Sequence, residues 1–375
     1  MRDVFVVSDN ILSPIGSTSA ENFSQLEKGI SGIQKRKHPE ISLKPFYASL
    51  LDEDYGGNDP AFTKFEKMLI ESIHQALQEG SVEAKDPDTI FILSSTKGNI
   101  SLLEKEAVSP RLTEKISLYH SAELIAGHFQ FAHEPVIISH ACISGLLAII
   151  TGMRLIQSGQ FRHAVIAGAD IITYFIASGF HAFWAISNEP CKPFDAKRNG
   201  ISLGEGAATL ILSADKKNSE SKIKIEGGAV SNDANHISGP SRTGLELSFA
   251  IRKALKQSGI TEKEIDFISA HGTATIYNDE MEAKAIKLSN MQSIPVNSLK
   301  GYYGHTLGAA GLIESIVSIH SLKNNIILPT FGFKEPGTSE IINVCSSLQK
   351  KSLRKFLKTA SGFGGCNAAA VFSKT

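Results

Sequence analysis

Residues 136–157 read VIISHACISGLLAIITGMRLIQ. The β-branched run Val136 to Ser139 has the composition of a short buried strand. Residues 143–158 then read as a helix, and Cys142 stands at the junction. A thiol at a helix start faces the positive end of the helix dipole, which favours the thiolate. The small neighbours Ala141, Ser144 and Gly145 leave room for a thioester to approach. Buried cysteines are more often inert than reactive, so this junction gains weight only from its company.

Outward from it, strand and helix signals alternate. Strands are predicted at Val4 to Ser8, Thr89 to Leu93, Ala164 to Ala167 and Ala207 to Leu212. A helix is predicted over Phe62 to Gln78, with Phe65, Leu69, Ile73 and Ala76 along one face. The polar stretch Asp215 to Lys222 reads as a linker. The alternation then resumes. Strands are predicted at Ile223 to Val230, Ile265 to Ala270, Pro295 to Asn297, Phe356 to Ala360 and Ala368 to Phe372, and helices at Gly244 to Gln257, Asp279 to Leu288 and Ala309 to Leu322. This order implies an α/β fold of two similar halves, 1–215 and 222–375, without a visible sequence repeat.

Bulk properties narrow the function classes. The chain has 375 residues, 42% of them hydrophobic, and no net charge, which argues against a nucleic-acid binder or a basic membrane-surface protein. Its four cysteines are dispersed without a CxxC pair, so neither a zinc site nor a disulfide framework is expected. The start MRDVFVVSDN lacks a signal-peptide pattern, and the longest apolar stretch, around Leu146 to Ile150, is too short to span a bilayer. A cytoplasmic protein is expected.

Three further segments carry reactive residue types. Ser269-Ala270-His271-Gly272-Thr273-Ala274-Thr275 ends a predicted strand in a histidine. Asn297-Ser298-Leu299-Lys300-Gly301-Tyr302-Tyr303-Gly304-His305 places a second histidine before a helix of small residues. Lys300 and Glu314, read alone, are a surface charge pair. Ser361-Gly362-Phe363-Gly364-Gly365-Cys366-Asn367 reads as a tight turn between two strands, or as a gate whose backbone N–H groups face an oxyanion. One cysteine and two histidines at strand-to-helix junctions make a plausible acyl-transfer site.

In order and spacing, the segments HACISG, PFDAKRNGISLGEGAA, AHGTATIYNDEMEA, NSLKGYYGHTLGAAG and SGFGGCN resemble the elongating β-ketoacyl-acyl-carrier-protein synthases of the thiolase-like superfamily. The first 130 residues match loosely. The resemblance implies a layered α-β-α-β-α fold and decarboxylative condensation of a Cys-bound acyl chain with a malonyl carrier thioester. It implies no metal and no cofactor beyond the phosphopantetheine on the carrier. Cys142 matches the nucleophile, and His271 and His305 match the pair that supports decarboxylation. Lys300 and Glu314 match residues that maintain the site. The N–H groups of Cys142 and Phe363 match the oxyanion hole, and Phe363 the gate. Ser238, Thr273 and Thr275 match positions on the pantetheine arm, and Phe180 falls in the part that lines the acyl pocket. Asp195, Arg198 and Glu205 match family positions and are read as structural. The resemblance also implies an acidic carrier protein as partner, and a dimer of identical or related chains paired through Ala164 to Ala167. Lys64 and Lys67, on one side of the 62–78 helix, are candidate carrier-docking residues, although Pro60 and Ala61 break the alignment there.

The chain departs from the pattern at several points. Ile276 and Asn278 replace the usual proline and glycine, Ser238 replaces threonine, and the losses in length fall near 100–125 and 187–192. His181, Phe183 and Trp184 add aromatic character, read as core packing rather than as selection for an aromatic or polyene chain. Three rival readings remain. An initiating synthase carries asparagine at the place of His305. A degradative thiolase needs a second active-site cysteine near the C-terminus, for which Cys366 is a tempting position, but it follows Phe363-Gly364-Gly365, where the elongating family often has threonine, and is read here as packing. A chain-length-factor-like subunit lacks the nucleophile that Cys142 supplies.

Overall fold

The computed structural model describes residues 2–52, 55–56, 61–219, 222–235 and 237–375. Ten strands run in one continuous sheet, in the order Val296–Asn297, Phe267–Ser269, Lys355–Gly362, Cys366–Lys374, Ile223–Asn232, Phe5–Leu12, Gly206–Ser213, His163–Asp170, Thr89–Ser94, Val136–Ile138. Between Phe5–Leu12 and Ile223–Asn232 the ladder is a single pair, Phe5 with Lys224, so the sheet divides into two five-stranded blocks. Each block repeats one pattern. From the middle outward, two antiparallel pairings are followed by two parallel ones. The duplication lies in the order and direction of the strands, which need only the right apolar period and not the same residues.

The helices Ser144–Gln157 and Ala310–Asn324 lie between the two blocks and pack on each other. Nine of the fourteen residues of the first and twelve of the fifteen of the second are buried. Their close approach depends on glycine. A Cβ at Gly145 would lie 2.7 Å from the Leu312 nitrogen, and one at Gly311 2.7 Å from the Leu146 nitrogen. One apolar core draws side chains from both halves, including Leu146, Ile149, Ile313 and Ile316. Lys64–Glu79 covers one block from outside, burying Phe65, Leu69, Ile73 and Ala76, and Leu245–Ser258 covers the other.

The strand expected to pair across a dimer lies inside the sheet. His163–Asp170, which contains Ala164 to Ala167, is bonded on both sides within the sheet and has no edge to offer. The free edge of that block is Val136–Ile138, which pairs on one side and is partly exposed. No described helix is long and apolar enough to cross a membrane.

Candidate active site

Cys142 sits where the edge strand Val136–Ile138 turns into the central helix. Ala141 takes φ of 46°, a left-handed turn rare for a residue with a side chain. The Ser144 hydroxyl fixes that turn, accepting from the His140 N–H and donating to the Ala141 carbonyl. Cys142 is 8% exposed. Burial pushes its thiol up to about 12, against the pull of Lys300 and of the Phe363 N–H on the sulfur. Desolvation therefore overrides the thiolate expected from the helix start alone, and the resting nucleophile is a thiol.

His271 follows the strand Phe267–Ser269. Two buried carboxylates on the next helix, Ile276–Leu288, reach back to hold its loop. Glu282 accepts from the His271 and Gly272 N–H groups at 2.7 Å each, and Asp279 from Thr273 and Phe194. His305 does not close a strand as expected. A short helix, Lys300–Tyr303, intervenes, and Gly304 at φ of 70° returns the chain so that the His305 N–H donates to the Ser202 carbonyl.

The two rings stand 5.3 Å apart at 82°, and one nitrogen of each lies within 4.8 Å of the other and of the Cys142 sulfur. Their protons follow from their partners. The Lys300 ammonium, which has only hydrogens to give, lies 3.2 Å from His271 Nδ1. The Leu307 N–H donates to His305 Nδ1 at 3.2 Å. Each Nδ1 is thus an acceptor, which puts the ring proton of each neutral imidazole on Nε2. Burial, reinforced by Lys300, holds both histidines well below their ordinary range, so both stay neutral near pH 7. The same three residues are the group whose donor atoms stand close enough to ligate a metal ion among the described residues.

Lys300 and Glu314 are not a surface pair. They form a salt bridge of 2.6 Å at 1% and 4% side-chain exposure. Lys300 spends its other hydrogens on the His271 carbonyl, at 2.7 Å, and on Nδ1. A third member went unread in the sequence. Lys358, fully buried on the strand Lys355–Gly362, lies 2.7 Å from the other Glu314 oxygen, in an ion contact off the hydrogen-bonding direction. Asp170 was also missed. It is buried and gathers the N–H groups of Thr96, Lys97 and Gly308 behind the nucleophile.

A cavity of about 310 Å³ opens on Cys142, His271 and His305 and is lined by Phe180, Ser238, Thr273, Thr275 and Phe363. The Thr273 and Thr275 hydroxyls are 2.9 Å apart, and Thr275 also caps the helix that follows. Phe363 stands in the turn between the last two long strands, its ring 5.7 Å from Phe180 and 5.5 Å from Phe183. Phe183 and Trp184 are not core residues. They line the cavity at 55% and 92% exposure. Cys366 packs beneath the turn, its thiol directed at the Phe363 carbonyl. Lys300 and Glu314 stand behind His271, outside the cavity lining.

Of the two candidate docking lysines, Lys64 lies otherwise than expected. Lys64 folds inward, 2.8 Å from the buried Glu205 and within reach of the Leu51 carbonyl. Its charge holds Glu205, which in turn accepts from the Leu51 and Ile172 N–H groups. Lys67 is half-buried beside Gly56. Pro60 lies outside the described residues. Asp195 accepts from the N–H groups of Lys197, Lys334 and Glu335, and Arg198 donates to the Asp195 and Gly337 carbonyls.

Residues 1–218 match the family model for the β-ketoacyl synthase N-terminal domain, and residues 223–334 match that for its C-terminal domain. The chain belongs to the β-ketoacyl synthase family. Among its relatives, the 3-oxoacyl-[acyl-carrier-protein] synthase 2 of Vibrio cholerae is 28% identical over 410 residues, covering 100% of this chain and 99% of that protein. The putative polyketide beta-ketoacyl synthase 1 of Streptomyces halstedii is 30% identical over 298 residues, 76% of this chain and 71% of that one. Among solved structures, the ishigamide ketosynthase/chain length factor superposes with a TM-score of 0.91 at 25% identity, over 100% of this chain and 99% of that one. In this β-ketoacyl synthase the thiolase-like fold expected from the five segments is present.

Proposed function

We propose that the chain condenses a Cys142-bound acyl group with a malonyl unit on an acyl carrier protein, releasing carbon dioxide, in fatty-acid or polyketide synthesis. The observation that carries this reading is the pair of neutral histidines, each with Nδ1 occupied, beside a buried thiol.

In the first half-reaction the Cys142 sulfur attacks the carrier thioester. The oxyanion faces the Cys142 and Phe363 N–H groups. The carrier thiol leaves with the proton that Cys142 gives up, so no net base is needed. In the second, the malonyl thioester carbonyl accepts the Nε2–H groups of His271 and His305. Its carboxylate departs as carbon dioxide, and the electron pair of the broken bond becomes an enolate. Donors aimed at charge that develops only in the transition state are worth about 3–4 kcal/mol each. The enolate carbon attacks the acyl-cysteine, Cys142 sulfur leaves, and it takes one proton from solvent. Carbon dioxide loss supplies the driving force, so the scheme needs no metal or redox cofactor. Ser238, Thr273 and Thr275 line the path of the pantetheine arm and Phe180 the acyl end.

The working partner is a carrier protein, and the assembly is a dimer of this chain or a heterodimer with a related subunit. The halves 1–215 and 222–375 supply the nucleophile and the histidines, and the four free cysteines fit a reducing cytoplasm. The test is His271→Ala and His305→Ala with malonyl carrier thioester. Each loses carbon dioxide release by ~100-fold or more while Cys142 still accepts an acyl group. Normal release in both variants overturns the scheme.

A further inference from the structure

Burying a lysine with no exposure demands partners for its charge and for every hydrogen. Lys358 has them. Its ammonium lies 2.7 Å from Glu314 Oε2, 3.2 Å from the Ser269 carbonyl and 3.3 Å from the Ala270 carbonyl. Ser269 and Ala270 are the two residues before His271, and Ser269 is also the ladder partner of Lys358. A closed ring results. Lys358 ties the end of the histidine strand to Glu314, Glu314 ties to Lys300, and Lys300 ties back to the His271 carbonyl and Nδ1.

We propose that Lys358 is a second positioning residue of this site, serving decarboxylation rather than acyl transfer by holding the Glu314 carboxylate and the strand end that together aim His271. The assignment rests on the condensing reading. It rests equally on the contacts. Lys300 touches His271 itself, whereas Lys358 touches Glu314 and the two residues preceding His271. A shared carboxylate also needs both lysines. With one removed, Glu314 is free to turn wholly toward the other, and Lys300 is drawn off Nδ1.

The charged and titratable groups around His271 come from five elements. They are Cys142 before the first central helix, Glu282 and Asp279 on the helix Ile276–Leu288, Lys300 on the short helix Lys300–Tyr303 with His305 just after it, Glu314 on the second central helix, and Lys358. Removing the Lys358 charge takes away a like charge that disfavours the imidazolium, so His271 protonates more readily and the acid limb of decarboxylation moves to higher pH.

The experiment compares wild type, Lys358→Met and Lys358→Arg as full-length protein. It follows carbon dioxide release from malonyl carrier thioester across pH, acylation of Cys142 by mass spectrometry, and thermal unfolding. Lys358→Met lowers release ~10- to 100-fold and moves the acid limb to higher pH, with a much smaller change in acylation. Lys358→Arg keeps the charge, so its acid limb stays at the wild-type position while its rate falls. Equal losses in both half-reactions with an unmoved acid limb in Lys358→Met overturn the proposal. If that variant does not fold, Lys358→Arg decides alone, and an acid limb displaced upward or an equal loss of acylation overturns it. Absence of carbon dioxide release by wild type refutes the condensing reading instead.

Discussion

Replacing Lys300 by methionine keeps the length of the side chain and removes its charge and its donors. Three contacts disappear together, to Glu314 at 2.6 Å, to the His271 carbonyl at 2.7 Å and to His271 Nδ1 at 3.2 Å. Breaking a buried pair costs about 3–5 kcal/mol, because the surviving charge has no water to turn to. Lys358 still holds Glu314, so the loss falls at the lower end, about 3 kcal/mol. The catalytic effect is separate. His271 is freed to rotate and to place its proton on Nδ1, which removes one aimed donor and lowers decarboxylation by ~100- to 1,000-fold. Acylation falls as well, since Lys300, with the Phe363 N–H, offsets burial at the Cys142 thiol. Denaturant unfolding, carbon dioxide release and acylation against pH are the three assays. Decarboxylation within about threefold of wild type, with unchanged stability, refutes the reasoning about the buried pair.

Three more outcomes follow from the same geometry. His305 is held neutral below its ordinary value of 6.5, so the unfolded state binds a proton that the folded state refuses. Stability from this residue is present above pH 6.5 and is lost on acidification, so wild type loses up to about 1.4 kcal/mol per pH unit relative to His305→Gln below pH 6, checked by denaturant unfolding at several pH values. Gly145→Val sets side-chain atoms against the Leu312 nitrogen and the Gly308 carbonyl, and calorimetry should show a loss of about 3 kcal/mol or failure to fold, with Gly145→Ala less severe. Lys64→Glu places a second carboxylate against buried Glu205, which destabilises by about 3 kcal/mol and changes KM for carrier-bound and small-molecule thioesters equally.

The order of the long strands and helices was legible in the sequence because each carries its own apolar period. The Phe65, Leu69, Ile73, Ala76 stripe is an instance, and all four side chains are buried. The short helix Tyr174–Ala182 and the small sheet of Gln34–Arg36, Phe46–Ser49 and Leu203–Gly204 were not, since segments so short carry little periodicity of their own. The duplication was suggested by element order and became visible only in strand directions, which composition does not encode. Cys142, His271 and His305 stood out by residue type and by neighbouring glycines. The charges around them did not. Lys358 sits in an apolar run, FLKTAS, where an alternating pattern reads lysine as the solvent side of an edge strand. Its strand is paired on both sides, and its partner Glu314 is 44 residues away in sequence, so the pairing existed only after folding. Lys64 misled in the opposite sense. A lysine at helical spacing reads as exposed, while here a buried carboxylate from residue 205 draws it inward.

The central claim is that Cys142 carries the acyl chain between two half-reactions. Peptide mass spectrometry on protein incubated first with acyl carrier thioester and then with malonyl carrier thioester tests it most directly. An acyl adduct is expected on the peptide containing Cys142, with Cys366 unmodified, followed by its discharge on malonyl addition with one carbon dioxide released per chain transferred. An adduct on Cys366 with Cys142 untouched, or a Cys142 adduct that persists while carbon dioxide is released, contradicts it.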